Sequence, residues 1–412
     1  MIETEPYVSR PLYVRQLRPY MGSHIIKVLT GQRRAGKSYM LYQLIDELRR
    51  EQPQANIVYI NTERAEFRAL HDEAGLYGYI ASRIEGSGPH YVFIDEIQEI
   101  DHFELALRSL FAEGRCDLYC TGSNAHLLSG ELATYLAGRY VQFTIHPLSY
   151  AEFLDFYRCD NTQEALGKYL RIGGMPYLAA LENSSQADTR QREALAAEYL
   201  RNLYESILLR DVIARENIRN VRFLENLAIY LADNTGSLFS ARNISKYLKN
   251  QKLNIPVQTV ISYLEALEKS MLIHRVRRAD IKGLKVFEIG DKYYFEDIGL
   301  RNVLVRNPQL DTAKLIEQAV YLFLLQRGFT VHVGKLDDIE IDFVALRQAE
   351  RIYVQAAYRI GDEAVYQREF GNLERIPDQH PKYVVTMDED MPPVNGKGIR
   401  WMHLKDFLVT EL

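Results

Sequence analysis

Gly31 and Gly36, followed by Lys37 and Ser38, frame the stretch Gly31-Gln32-Arg33-Arg34-Ala35-Gly36-Lys37-Ser38. The pattern G-x-x-x-x-G-K-[ST] is that of a phosphate-binding loop, and its chemistry explains its spacing. The two glycines let the backbone wrap a polyphosphate with successive N–H groups pointing inward. Lys37 can reach the β- and γ-phosphates, and the Ser38 hydroxyl is a ligand for Mg²⁺. A helix opening at Ser38 turns its positive end toward the anion.

A hydrolase of this kind also needs a carboxylate beside the metal and a group that activates water. The run Tyr91-Val92-Phe93-Ile94-Asp95-Glu96 supplies both. Asp95 is the expected metal partner, and Glu96 the expected general base or water-orienting residue. Farther along, Thr121-Gly122-Ser123-Asn124 follows an apolar run. Ser123 and Asn124 are both candidates for a sensor lying between the acids and the γ-phosphate.

These residues need elements to hold them. The apolar run 25–30 reads as a buried parallel strand leading into the loop. Met40, Leu41, Leu44, Ile45 and Leu48 recur at helical spacing after it. Residues 91–94 and 116–120 read as further buried strands. Their carboxyl ends are where open α/β sheets bind ligands.

The stretches GQRRAGKS, YVFIDEIQE, LYCTGSNAHLLSG, LAGRY with HPLSYAEF, GGMP, NTGSLFS, DKYYFEDIGLR and EIDFV run in this order through nearly the whole chain. In that order they resemble an AAA+ ATPase of the bacterial and archaeal type with a DUF4143 C-terminal region. The resemblance implies ATP and Mg²⁺ as cofactors and a homo-oligomer that shares its ATP sites. It also implies that Arg139, in LAGRY, is an arginine finger reaching a neighbouring subunit's γ-phosphate. No equivalent of the second-sensor arginine of other AAA+ lids is visible.

Composition sets bounds on the rest. A chain of 412 residues has room for roughly two to four domains. Its net charge of −5 makes no overall case for nucleic acid, so any such site must be a local patch. Cys116, Cys120 and Cys159 form no C-x-x-C pair and read as reduced. The acidic N-terminus lacks a signal-peptide core, and no run reaches the roughly 18 apolar residues of a membrane span. A cytoplasmic location is expected.

Past the Pro147-Leu148-Ser149 break, helices are expected over 152–157, 164–171 and 191–216, with Gly173-Gly174-Met175-Pro176 as a breaker. Three short helices follow. The first covers 223–233, Ser240 caps the second, and Pro256 opens the third. Strands over 272–276 and 285–289 then make a hairpin, so the unit reads as a winged helix. Residues 236–285 carry ten Lys/Arg against three acids, a local net of +7. That is the footprint of phosphate contacts, and Gln258, Thr259 and Ser262 are placed to read bases. Protein contact is the rival use of the same surface.

The last segment resembles a PD-(D/E)XK nuclease core. Glu317 on a helix and Asp342 on a strand fit its acid positions. Gln355 stands where a second acid belongs, and Ala357 where the lysine belongs. An amide is a weaker Mg²⁺ ligand and alanine cannot assist a nucleophile, which leaves Lys335 as the candidate displaced lysine.

The expected fold class is α/β: a P-loop AAA+ core with a parallel sheet (1–150), a helical linker or lid (151–222), a winged helix (223–304) and a degenerate PD-(D/E)XK-like domain (305–412). The expected function is ATP hydrolysis coupled to duplex DNA binding through 236–285. One alternative is a signalling or assembly ATPase whose C-terminal half binds a protein partner. Another is an ATP-regulated, metal-dependent nuclease.

Overall fold

The computed structural model describes residues 7–86, 88–123, 135–184, 188–250, 254–306, 311–389 and 392–412. The chain divides into two compact units, Met1–Pro147 with Lys269–Met271, and Leu148–Glu268 with Leu272–Leu412.

The first unit is built on five parallel strands: β1 (Ile26–Thr30), β2 (Asn56–Asn61), β3 (His90–Asp95), β4 (Asp117–Gly122) and β5 (Tyr140–Thr144). Their order in the sheet is β2-β3-β4-β1-β5. Strands buried on both faces read as nearly unbroken apolar runs, as β1 and β3 do. Alternation along β3 sorts the core. Phe93 packs with Leu29, Met40, Leu44 and Tyr119 on the side of the Lys37–Glu51 helix. Val92 and Ile94 pack on the other side with Leu107, Leu110 and Leu118.

The second unit begins with a helix over Tyr150–Tyr157, started by a capping box between Ser149 and Glu152. The helices Gln163–Ile172 and Pro176–Ser184 follow. The long segment expected over 191–216 is an α-helix over Thr189–Ser206 that widens into a π-helix over Ile207–Ala214. Next come helices Val221–Asp233, Ala241–Asn250 and Val257–Lys269.

A hairpin of β6 (Ile273–Asp280) and β7 (Val286–Phe295) comes next. It belongs to a seven-stranded sheet with β8 (Thr330–Leu336), β9 (Ile339–Arg347), β10 (Glu350–Ala356), β11 (Lys382–Thr386) and β12 (Arg400–His403). The order is β12-β11-β10-β9-β8-β6-β7, and β6 pairs in parallel with β8. The sheet therefore continues across residue 304, and the segments 223–304 and 305–412 share hydrogen-bonded strands. Helix Thr312–Gln326 covers one face through Ile316, Ala319, Val320 and Phe323. Among the described residues, no helix is long and apolar enough to cross a membrane.

Candidate nucleotide-binding site

The loop leaves β1 at Thr30 and ends at Gly36, whose φ of 103° suits glycine and which caps the Lys37–Glu51 helix. A Cβ on Gly31 would sit 2.2 Å from the Ile145 carbonyl oxygen, so a side chain has no room there. Arg10, missed in the sequence, is buried and donates from Nη1 to the Ala35 carbonyl at 3.1 Å, which anchors the loop from behind. Lys37 is buried as well. Its Nζ donates to Gly31 O at 3.1 Å and Gln32 O at 3.2 Å, and lies 3.5 Å from Glu96 Oε1. Arg34 is exposed at φ 67°, and Arg33 is half-buried near enough to Glu96 to lower its pKa.

Asp95 ends β3 and is almost fully buried. It accepts from Thr121 Oγ1 at 2.5 Å, from Tyr59 OH at 3.1 Å and from Asn61 Nδ2 at 3.4 Å, and also from the Ser38 hydroxyl. Burial raises its pKa, and the bonds from Thr121, Ser38 and Tyr59 offset that only in part. Glu96 leaves the strand in the left-handed conformation (φ 55°, ψ 51°). Burial pushes its carboxyl up, but the Lys37 charge and the Gln98 amide outweigh that and hold it low.

Thr121 is the link between the two acids. Its hydroxyl donates to Asp95 and accepts from the Glu96 backbone N–H at 2.9 Å. The structure thus brings together Lys37, Ser38, Asp95 and Glu96, with Thr121, Tyr59 and Asn61 added. Ser123 is buried with Oγ 3.5 Å from Gln98 Nε2, whereas Asn124 lies outside the described residues. Arg139 is half-buried just ahead of β5; it donates to Tyr135 O at 3.1 Å and lies over the Phe111 ring. The donor set of one hydroxyl and two carboxylates, all hard oxygens, fits Mg²⁺. The loop that excludes a side chain at Gly31 and opens a 15-residue helix fits a polyphosphate.

A second constellation lies in the seven-stranded sheet. Lys292 on β7 is buried, with Nζ 2.8 Å from Glu317 Oε1, 3.2 Å from Glu340 Oε1 and 3.4 Å from Asp342 Oδ1. Tyr294 OH donates to Glu317 at 2.6 Å. Burial lowers the pKa of Lys292, but the three carboxylates more than reverse this, so it stays charged. Gln355 Oε1 accepts from the Asp342 backbone N–H at 2.6 Å, and Asp342 Oδ2 from Ala356 N–H at 3.0 Å. The expectation for Lys335 is corrected here: it faces Glu340 across the β8–β9 register, and the ammonium among the acids is that of Lys292. Lys292 lies 50 positions before Asp342 on a strand assigned to the hairpin, so no local pattern announced it.

A phosphate loop after the first strand of a parallel five-stranded sheet, with paired acids after the third, defines an AAA-type domain. Residues 23–154 match the AAA_14 family, described as an AAA domain. Residues 163–311 match a domain of unknown function, DUF8612, which corrects the expected DUF4143. The motifs behind that expectation are short, and EIDFV lies beyond the matched stretch. The chain belongs to the same family as an uncharacterized protein of Haemophilus influenzae. The two are 34% identical over 385 residues, covering 92% of this chain and 93% of that one. It is also similar to the uncharacterized protein MJ1544 of Methanocaldococcus jannaschii, 27% identical over 353 residues, covering 82% and 75%. Likeness to solved structures is slight. AMPPCP-bound DnaA from Aquifex aeolicus shares 11% identity over 64% of this chain and 89% of that chain, with a TM-score of 0.34.

Proposed function

We propose that this protein is a Mg²⁺-dependent ATPase that works as a homo-oligomer and engages duplex DNA. One observation carries the ATPase reading: Lys37 and Ser38 of the loop meet Glu96 and Asp95, far from them in sequence, by an ion pair and a hydrogen bond. Bound Mg²⁺, held by Ser38 and Asp95, would neutralise charge on the phosphates. The backbone N–H groups of Gly31 to Ser38 bind the phosphate oxygens, and Lys37 exchanges its loop carbonyls and Glu96 for them. Glu96, freed of Lys37, takes the proton of the attacking water at its carboxylate. Arg139, half-buried beside β5, is the candidate finger for a neighbouring subunit.

DNA binding rests on the order of three helices and a hairpin, and on charge. Arg242, Lys246, Lys249 and Arg277 are exposed, as are Gln258 and Ser262, while Thr259 is half-buried. The +7 count overstates the patch. Arg275 pairs with Asp291 at 2.7 Å and Lys282 with Asp337 at 3.0 Å, both acids from beyond the counted stretch. A protein partner is the second reading. Tyr247 and Val257, 47% and 37% exposed on the same two helices, favour it. Nuclease chemistry is not proposed. Gln355 is engaged with backbone, Ala357 is inert, and the only lysine shown among the acids is ion-paired to three of them.

The ATPase reading is tested by two substitutions. Lys37→Ala is expected to weaken ATP binding by at least tenfold, on the order of one lost charged phosphate contact. Glu96→Gln is expected to keep binding and lose turnover. Wild-type turnover in Glu96→Gln would remove the base assignment.

A further inference from the structure

We infer that Gln98 positions Glu96 for the attacking water, its amide nitrogen donating to the carboxylate and fixing its orientation. This rests on the ATPase reading above. Gln98 lies in the 3₁₀ turn Ile97–Glu99, directly after the left-handed break at Glu96. That turn is pinned at both ends: Glu96 N–H donates to Thr121 Oγ1 at 2.9 Å, and Glu99 N–H to Glu96 O at 3.1 Å. Gln98 Nε2 donates to Glu96 Oε2 and lies 3.5 Å from Ser123 Oγ.

An ionised carboxylate only accepts hydrogen bonds, so the amide must present its NH₂ to Glu96. The opposite end of the amide is then fixed as a carbonyl. That Oε1 is shut off from solvent, so the amide acts through its nitrogen. The carboxylate so held lies 3.5 Å from the phosphate-loop lysine. A carboxylate held in one orientation presents its free oxygen to the water in one geometry.

The test is steady-state ATP hydrolysis alongside ATP binding in full-length protein, for wild type, Glu96→Gln, Gln98→Met and the double variant. Methionine fills the space of glutamine and makes no such hydrogen bonds. Gln98→Met is expected to lower kcat on the order of tenfold to a hundredfold, with ATP affinity within about twofold of wild type. The double variant is expected to turn over no more slowly than Glu96→Gln alone, because the two residues act as a unit. A packing role would make the two losses multiply. Gln98→Glu, of the same size, sets a second carboxylate beside Glu96 and must lose turnover while keeping ATP binding, which serves if the methionine variant misfolds. An unchanged kcat in Gln98→Met, or multiplying losses, overturns the inference and leaves the ATPase reading standing. No wild-type turnover, or no effect of Glu96→Gln, removes both.

Discussion

Asp297 ties together two of the short motifs of the second unit. Its carboxylate accepts from Gly174 N–H at 2.6 Å and Leu300 N–H at 2.9 Å. A Cβ on Gly173 would fall 2.4 Å from Asp297 Oδ1, which explains the glycine at that turn. GGMP and DKYYFEDIGLR were legible as motifs, but their contact was not, because 123 positions separate Gly174 from Asp297. Burial pushes the Asp297 carboxyl up to about 6. A folded-state pKa above the unfolded value gives stability that is full below the unfolded pKa and is lost as pH rises through about 6. Asparagine does not titrate. Asp297→Asn is therefore expected to be less stable than wild type at pH 5, with the gap closing toward pH 8 by on the order of 1 kcal/mol. Urea unfolding across that range measures it, and a gap independent of pH would refute it. Lys292→Met leaves Glu317, Glu340 and Asp342 facing one another. It should cost about 3–5 kcal/mol in the same unfolding experiment, and unchanged stability would mean the ion cluster holds nothing in place.

The strands decide which residues meet. Both halves of the phosphate site were legible because each is a contiguous word at the end of an apolar run. Thr121 was not, since its role follows from β4 lying between β1 and β3, and strand order is a tertiary fact. In the sequence Thr121 opens the same polar turn as Ser123 and Asn124, whereas β4 runs on through Gly122 and carries it. Tyr59 and Asn61 on β2 were missed for the same reason. The three helices and hairpin of 223–295 were legible from capping and periodicity. Their continuation into β8 was not, because a parallel pairing across 55 positions leaves no local signal. Charge was misjudged where partners lie outside the counted window, as with Asp291 and Asp337. Reversing Arg242, Lys246, Lys249 and Arg277 to Glu should weaken duplex binding and lower its salt slope by roughly one per lost phosphate contact. Arg275→Glu should act mainly on stability, through Asp291. Equal salt slopes for wild type and the fourfold variant would favour the protein-partner reading.

For the molecule as a whole, the net charge of −5 leaves only a local surface for the proposed DNA binding, whose phosphate contacts would make it sensitive to salt. Oligomerisation through the ATP site has its own signature. Arg139→Ala should bind ATP and fail to hydrolyse it, and so should Glu96→Gln. Mixed together, the two should regain activity from interfaces that pair an intact Glu96 with an intact Arg139. No recovery in mixtures that exchange subunits would place Arg139 outside the neighbour's site.

The central claim is that the loop at Gly31–Ser38 and the acids Asp95 and Glu96 make one hydrolytic site. Its most direct test is single-turnover hydrolysis of bound ATP with Mg²⁺, comparing wild type with Glu96→Gln at matched nucleotide occupancy. The structure predicts full occupancy in both and a rate in Glu96→Gln lower by about 10²–10⁴-fold, the contribution of a positioned general base. Equal rates at equal occupancy, or no hydrolysis by wild type, would contradict it.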